Sequence, residues 1–184
     1  MLEQVETIDI LAKAAQKSDA LVVSEIGSQT TWLHETGDHD SYLYLSGPMG
    51  IAPSVALGVA LSNPDRPVLA ICGDGALAMN FSALVTIANE APKNLTIALM
   101  DNGVYDFTGK IASPSVAVKW DGLMAGLPAF EHFSAFDAQG DYSFKADGGL
   151  SFIHCPVKPA SRKAIKFPFR PPEIYKRFKM FVTR

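Results

Sequence analysis

The stretch "CGDGALAMNF", residues 72–81, sets two glycines around one aspartate directly after the apolar run "PVLAI" at 67–71. A short aliphatic run closed by glycine reads as a buried strand ending in a turn. Working outward, "ALVVSEIG" at 20–27 and "LTIALM" at 95–100 have the same character. The segments between them are helical. "APSVALGVALS" (52–62) suits a small-residue helix packed close to its neighbours, and "FSALVTIANEA" (81–91) a helix ending near Pro92. Short apolar strands alternating with helices predict an α/β fold. The expected form is a three-layer sandwich, a central parallel sheet with helices on both faces.

The flanks extend the pattern. Leu2, Val5, Ile8, Leu11 and Ala15 recur at helical spacing. Residues 28–44 are polar and mixed, and read as loops around a short helix. Beyond 110, "VKWDGLMAGL" (118–127) reads as a helix, "FEHFSAF" (130–136) and "LSFIHCPV" (150–157) as strands, and "PPEIYKRFKMF" (171–181) as a terminal helix with proline at its start. Residues 1–184 are expected to form a single domain, with a Pro-rich, aromatic C-terminal arm from about 156 running along the surface.

Composition sets bounds on function. Apolar residues are 48% and charged residues 19% of the 184, the balance of a soluble globular protein. Sixteen basic against nineteen acidic residues give a net charge of −3, with no general attraction for nucleic acid or anionic membrane. Basic residues gather between Arg162 and Arg184, but prolines and aromatics interrupt them, as on a solvated surface. No stretch reaches the roughly 18 apolar residues that span a bilayer, and the N-terminus lacks a signal-peptide pattern. Cys72 and Cys155 read as small buried residues in a reducing compartment, and the expected location is cytoplasmic.

The chemistry gathers at strand ends, where ligands collect in such sheets. Asp74 leaves one end in "CGDGA", and Asn102 leaves another in "MDNGVYD", 28 positions later. That interval holds one helix and the adjacent strand, so both side-chain oxygens come to one edge. A carboxylate, an amide oxygen and a nearby carbonyl form a hard-oxygen set suited to magnesium or calcium. The helix after Gly75 is expected to aim free N–H groups at the same place, where they favour a phosphate. Gly73 and Gly75 remove side chains that would block its approach. Gly-Asp-Gly alone is a common turn; the asparagine at the next strand end, and "SGPMGIA" upstream, make it more than that.

Here the chain resembles a known family. "GDG" with the downstream "DN" is similar to the cofactor motif of thiamine diphosphate enzymes, in their diphosphate-binding domain. "SGPMGIAPSVALGVALS" (46–62) is similar to the segment preceding that motif in the decarboxylase branch, and the resemblance covers roughly residues 18–160. Sulfopyruvate and phosphonopyruvate decarboxylases share the "DN-x-VY" run, and the beta subunit of that enzyme type is nearest in pattern. The resemblance implies that Asp74 and Asn102 bind Mg²⁺ through side chains and Val104 through its carbonyl. It places Gly73, Gly75, Ala76 and Tyr105 at the cofactor, with backbone groups of Gly75 and Ala76 meeting the diphosphate. Met49 would wedge beneath thiamine diphosphate to bend it, and the Gly47 carbonyl would accept from its exocyclic amine. The function implied is decarboxylation of a 2-oxo acid, the thiazolium storing the electrons released with CO₂.

Two departures stand out. Asp101 occupies a position that is often a second asparagine in the family. The second is a missing module: full-length relatives carry a second domain whose glutamate activates the pyrimidine, and no such module reads out of this sequence. Glu25 is the tempting substitute, but it sits in this domain's own first strand-end loop. The activating glutamate is therefore expected on a separate pyrimidine-binding subunit of a hetero-oligomer. Two alternatives keep part of the pattern: an acetolactate synthase-like carboligase subunit, and a non-catalytic domain binding phosphate or nucleotide. An iron–sulfur oxidoreductase subunit would want about four cysteines, and two are present.

Outside the motifs, His34 and His39 lie in a loop that in this fold can face substrate, and His34 is a weak candidate for proton transfer. Lys110 is a second weak candidate, placed to meet a sulfonate, phosphonate or carboxylate. His132 and His154 fall in strands and are expected to be satisfied locally. Trp120, Met124 and Leu127 share one helical face and read as packing. Phe167, Phe169, Tyr175, Phe178 and Phe181 read as a clamp on this domain or on a partner.

Overall fold

The computed structural model describes residues 1–162 and 165–183. In chain order the elements are α1 (Gln4–Lys17), β1 (Leu21–Ser24), α2 (Ser28–Glu35), β2 (Tyr42–Tyr44), α3 (Ala52–Ser62), β3 (Val68–Gly73), α4 (Asp74–Met79), α5 (Ser82–Glu90) and β4 (Leu95–Asp101). A small hairpin, β5 (Val104–Tyr105) with β6 (Ile111–Ala112), follows. After it come α6 (Trp120–Ala125), β7 (His132–Ala135), β8 (Ser151–Pro156) and α7 (Pro171–Val182). Six strands form one sheet in the order β2-β1-β3-β4-β8-β7, every neighbouring pair parallel. The α/β sandwich expected from the sequence is the one observed.

Alternation along the strands feeds two cores. Val22, Leu69, Ile71, Ala98, Met100, Ile153 and Cys155 point to one face, where Ile8, Leu11 and Ala15 of α1 and Trp32 of α2 cover them. Leu21, Val23, Val68, Ala70, Cys72, Ile97, Leu99 and Phe152 point to the other, under α3, α5 and α6. Both cysteines are free and buried. The α1 start is fixed by a capping box in which the Glu3 N–H donates to Glu6 Oε2 at 2.8 Å. Among the described residues no helix is long and apolar enough to cross a membrane.

Three local features differ from expectation. The loop region before Tyr44 contains β2, whose three residues pair with Val22–Ser24 and are too short to carry a periodic signal. Helix begins at Asp74 itself, because "ALAM" after the turn is strongly helix-forming and continues straight from the strand. The polar loop after β4 folds back as the β5–β6 hairpin.

The aromatic tail clamps its own domain. Phe178 is buried in the second core. Phe167 and Phe169 pack edge-on against His34, with centroids 5.5 and 5.6 Å away. Arg177 lies over the Phe169 ring at 4.3 Å and pairs with Asp38 at 2.8 Å and Asp40 at 3.1 Å. Tyr175 stays exposed. Of the basic C-terminal residues named above, Arg184 falls outside the described residues, as does part of the Pro-rich stretch at 163–164.

Candidate functional site

β1 pairs with β2 on one side and β3 on the other, so the chain reverses direction across the sheet between β1 and β3. A crevice opens at such a switch point, outside the carboxyl ends of the strands. Here it is a cavity of about 200 Å³. Three loops line it: Ile26 to Gln29 after β1, Gly73 to Ala76 after β3, and Asn102 with Val104 to Thr108 after β4. Met49 closes one side.

Asp74 is only 3% exposed and accepts a hydrogen bond from the Ser115 hydroxyl on Oδ2. Burial pushes its carboxyl above the usual range; Ser115, the Gly75 N–H and Ser113 pull it back, while the charge of Asp101 pushes it further up. Among the described residues no cation is paired with it. A buried carboxylate without a counter-charge is costly unless something positive arrives. Asn102 folds into a tight turn, its Oδ1 accepting from the Val104 N–H at 2.9 Å and its Nδ2 donating to Asp106 Oδ2 at 3.1 Å. The remaining lone pair of Oδ1 is open to a ligand. Gly75 has no room for a side chain while Tyr105 keeps its place: a Cβ there would run into the Tyr105 ring.

Of the residues singled out from sequence, Met49, Gly73, Asp74, Gly75, Ala76, Asn102, Val104 and Tyr105 meet around this cavity. Gly47 is not part of its lining, and its backbone has φ +111°. Lys110 lines a neighbouring cleft instead. His34 packs among Tyr44, Phe167 and Phe169 and lines neither space. Of the two strand histidines, His154 bonds Asp101 Oδ2 at 2.8 Å, and the Trp120 indole donates to the same oxygen at 3.1 Å, which fixes the base of the loop that carries Asn102. His132 is exposed. Sequence reasoning missed Ser113 and Ser115, forty residues past Asp74, because no local pattern ties them to it.

Glu25 is fully buried and serves as a structural anchor. Its Oε2 accepts from the N–H groups of Gly50 and Ala52 at 3.1 and 3.3 Å, and Oε1 from Ile26 at 3.2 Å. It thereby pins the Met49 loop and the start of α3 to the end of β1. Glu25→Ala leaves these buried donors unpaired and is expected to cost about 3 kcal/mol, measured by urea unfolding; a loss under about 1 kcal/mol would refute the anchoring role. Burial holds the Glu25 carboxyl above its ordinary value although the three N–H groups oppose this. The folded state therefore keeps the proton longer than the unfolded chain, so this group's contribution declines as pH rises from the ordinary carboxylate range through the raised folded value. Glu25→Gln should abolish that slope.

A strand–Asp–helix turn beside an Asn turn, at the carboxyl ends of the adjacent strands β3 and β4 and next to the switch point, defines the class: an open α/β domain with a ligand crevice of the kind that receives phosphorylated cofactors. Residues 25–123 match the model of the thiamine pyrophosphate enzyme, C-terminal TPP binding domain, and the chain belongs to that family. A sulfopyruvate decarboxylase subunit beta from Methanothermobacter thermautotrophicus is 32% identical, over 97% of this chain and 94% of that one. A phosphonopyruvate decarboxylase from Streptomyces viridochromogenes is 36% identical, but the match takes in 90% of this chain and only 43% of the relative. The chain thus spans less than half the length of that longer relative. A protein from Mycobacterium smegmatis described as a thiamin diphosphate-dependent enzyme shares the fold, with a TM-score of 0.65 at 20% identity, over 86% of this chain and 32% of that one.

The residues fit the family's cofactor. Among the described residues no cluster of three or more His, Cys, Asp or Glu forms a metal cage. One carboxylate, one amide and one carbonyl is instead the sparse set magnesium takes when phosphate and water complete its shell. An ion of that kind would compensate the buried Asp74 carboxylate, which no described cation pairs.

Proposed function

We propose that this chain is the thiamine diphosphate- and Mg²⁺-binding subunit of a heteromeric 2-oxo acid decarboxylase, of the sulfopyruvate or phosphonopyruvate type. The observation that carries this is the cavity where Asp74 and Asn102 converge, in a chain aligned along nearly all of a decarboxylase beta subunit. Asp74 and Asn102 side chains, with the Val104 carbonyl, hold the ion. The backbone of Gly73, Gly75 and Ala76 lies against the diphosphate, and Tyr105 walls it in. Met49 supports the rings, and Ile26 and Phe107 add apolar surface to the lining. Thiamine diphosphate, when bound, supplies the electron sink that a 2-oxo acid lacks as it loses CO₂. The activating glutamate comes from the partner subunit. Free, buried Cys72 and Cys155 are in keeping with a cytoplasmic location.

The test is product analysis with the assembled enzyme. Sulfopyruvate or phosphonopyruvate is expected to give CO₂ and the corresponding aldehyde. Acetolactate from pyruvate, with no aldehyde from either acid, would instead establish a carboligase.

A further inference from the structure

A second cleft, of about 770 Å³, lies beside the cofactor cavity. Asp106 and Phe107 line both, so the two spaces share a wall. The cleft gathers Lys110, Arg162 and Lys166 against the single carboxylate of Asp106, over a floor that includes the buried Trp32.

The cations come from two distant segments that are tied together. Lys110 sits in the turn of the hairpin with φ +57°, a left-handed backbone conformation that is unfavourable for a non-glycine residue. That conformation is held at both ends: its N–H donates to the Tyr105 carbonyl at 3.1 Å, and its Nζ to the Ala160 carbonyl at 2.9 Å. Strain of this kind collects at functional sites. Arg162, two residues past Ala160, lies over the Trp32 ring at 4.7 Å and pairs with Glu35 at 2.7 Å. Glu35 also accepts from the Ile165 N–H at 2.7 Å, which locks this segment against α2. Among the described residues neither Lys110 nor Lys166 is ion-paired. Lys110 feels the charge of Asp106 across the cleft without closing an ion pair, and the two ammonium groups, beside a guanidinium already oriented by stacking, outnumber that one carboxylate and form a receptor for a compact oxyanion.

We propose that this cleft binds the second acid group of the substrate, a tetrahedral sulfonate or phosphonate carried by the 2-oxo acid, through Lys110 and Lys166 with Arg162 fixing the wall. The assignment rests on the decarboxylase function proposed above and adds to it the source of substrate choice. The carboxylate lost as CO₂ stays on the cofactor side of Phe107, while the retained acid lies across it. A simple 2-oxo acid such as pyruvate has nothing to place there.

Sulfoacetate and phosphonoacetate lack the keto group and so probe the cleft without turnover. Calorimetry on the full chain is expected to show saturable binding of at least one of them, with acetate far weaker. The Lys110→Met/Lys166→Met variant should weaken that binding about tenfold or more, the scale of a lost charge-assisted hydrogen bond. Its affinity for Mg²⁺–thiamine diphosphate should stay within about twofold, since neither lysine lines that cavity. Lys166→Met alone leaves the Lys110–Ala160 tie intact and should weaken the probe about threefold, which guards against a merely unfolded arm. Preference between the two probes tells sulfonate from phosphonate, and either one supports the cleft. Absence of binding, equal binding of acetate, or an unchanged double variant would overturn it. Probe binding without any affinity for thiamine diphosphate would leave the cleft standing and refute the cofactor assignment; the reverse result would refute the cleft alone.

Discussion

Asp74→Ala is expected to weaken Mg²⁺-dependent binding of thiamine diphosphate by at least about 100-fold, since even residues behind a metal's ligands typically contribute 10- to 100-fold to its affinity. Asp74 is the only charged member of the proposed ligand set, and hard divalent ions depend on anionic oxygen. The diphosphate is anionic too, so without the ion it would meet the Asp101 charge unscreened. The same substitution should not destabilise the protein. Asp74 is 3% exposed, has no paired cation among the described residues, and its carboxyl is driven upward by burial. Removing it relieves an uncompensated charge at the cost of the Ser115 hydrogen bond and the smaller contributions of the Gly75 N–H and Ser113. Asp74→Asn keeps the shape and an acceptor for Ser115, and should fall between wild type and alanine. Calorimetry paired with thermal unfolding reads both quantities. Affinity lost together with folding would point to a structural carboxylate; affinity unchanged would remove Asp74 from the metal site. Wild-type protein that prefers Mg²⁺–ATP to Mg²⁺–thiamine diphosphate would favour the nucleotide-binding alternative.

The strands and the loops that follow β3 and β4 are legible in the sequence for a common reason. Buried parallel strands read as continuous apolar runs, and the loops at their carboxyl ends must carry the polar residues that leave the sheet. "VLAIC" followed by Gly73 and Asp74, and "LTIALM" followed by Asp101 and Asn102, state both at once. β2 is invisible because its three residues gain their conformation from pairing with β1 and not from any period of their own. Ser113 and Ser115 are equally silent: their hold on Asp74 depends on the hairpin folding back, which the Ser113 N–H secures by donating to the Gly103 carbonyl at 2.9 Å. The histidine loop misleads in the opposite direction. His34 reads as a polar loop residue that could face substrate, yet two phenylalanines more than 130 positions away enclose it. Contacts closed by distant segments leave no trace in local pattern. The cleft at Lys110, Arg162 and Lys166 belongs to the same class, its halves tied by the Lys110–Ala160 hydrogen bond.

The purified chain alone is expected to decarboxylate 2-oxo acids at less than about one-thousandth of the rate of the assembled enzyme, within the 10²–10⁴-fold that a positioned acid–base group alone supplies. On the function proposed above, the cofactor cavity is half a site. Met49 and Phe107 line it, yet are 39% and 61% exposed. Next to it Ile111, paired with Tyr105 across the hairpin, is 63% exposed, and Val116, which would touch a Cβ on Gly103, is 69% exposed. Large apolar side chains left to water around a polar crevice mark a surface meant to be covered. Covering it would lower the local dielectric where charge shifts during decarboxylation and would exclude the water that otherwise screens it. Glu25, the carboxylate nearest in kind to the activating group of the family, is committed to the N–H groups of Gly50 and Ala52 and cannot also reach into the cavity. Rates should therefore rise on titrating in the pyrimidine-binding subunit and saturate at a fixed stoichiometry, with sedimentation showing a larger species over the same range. Val116→Asp and Ile111→Asp, both outside the cofactor lining, should weaken that assembly while leaving the fold of the isolated chain intact, because neither side chain is buried in it. Turnover by the lone chain at the assembled rate would show that the missing acid is already present, and the assignment of a separate activating subunit would fail.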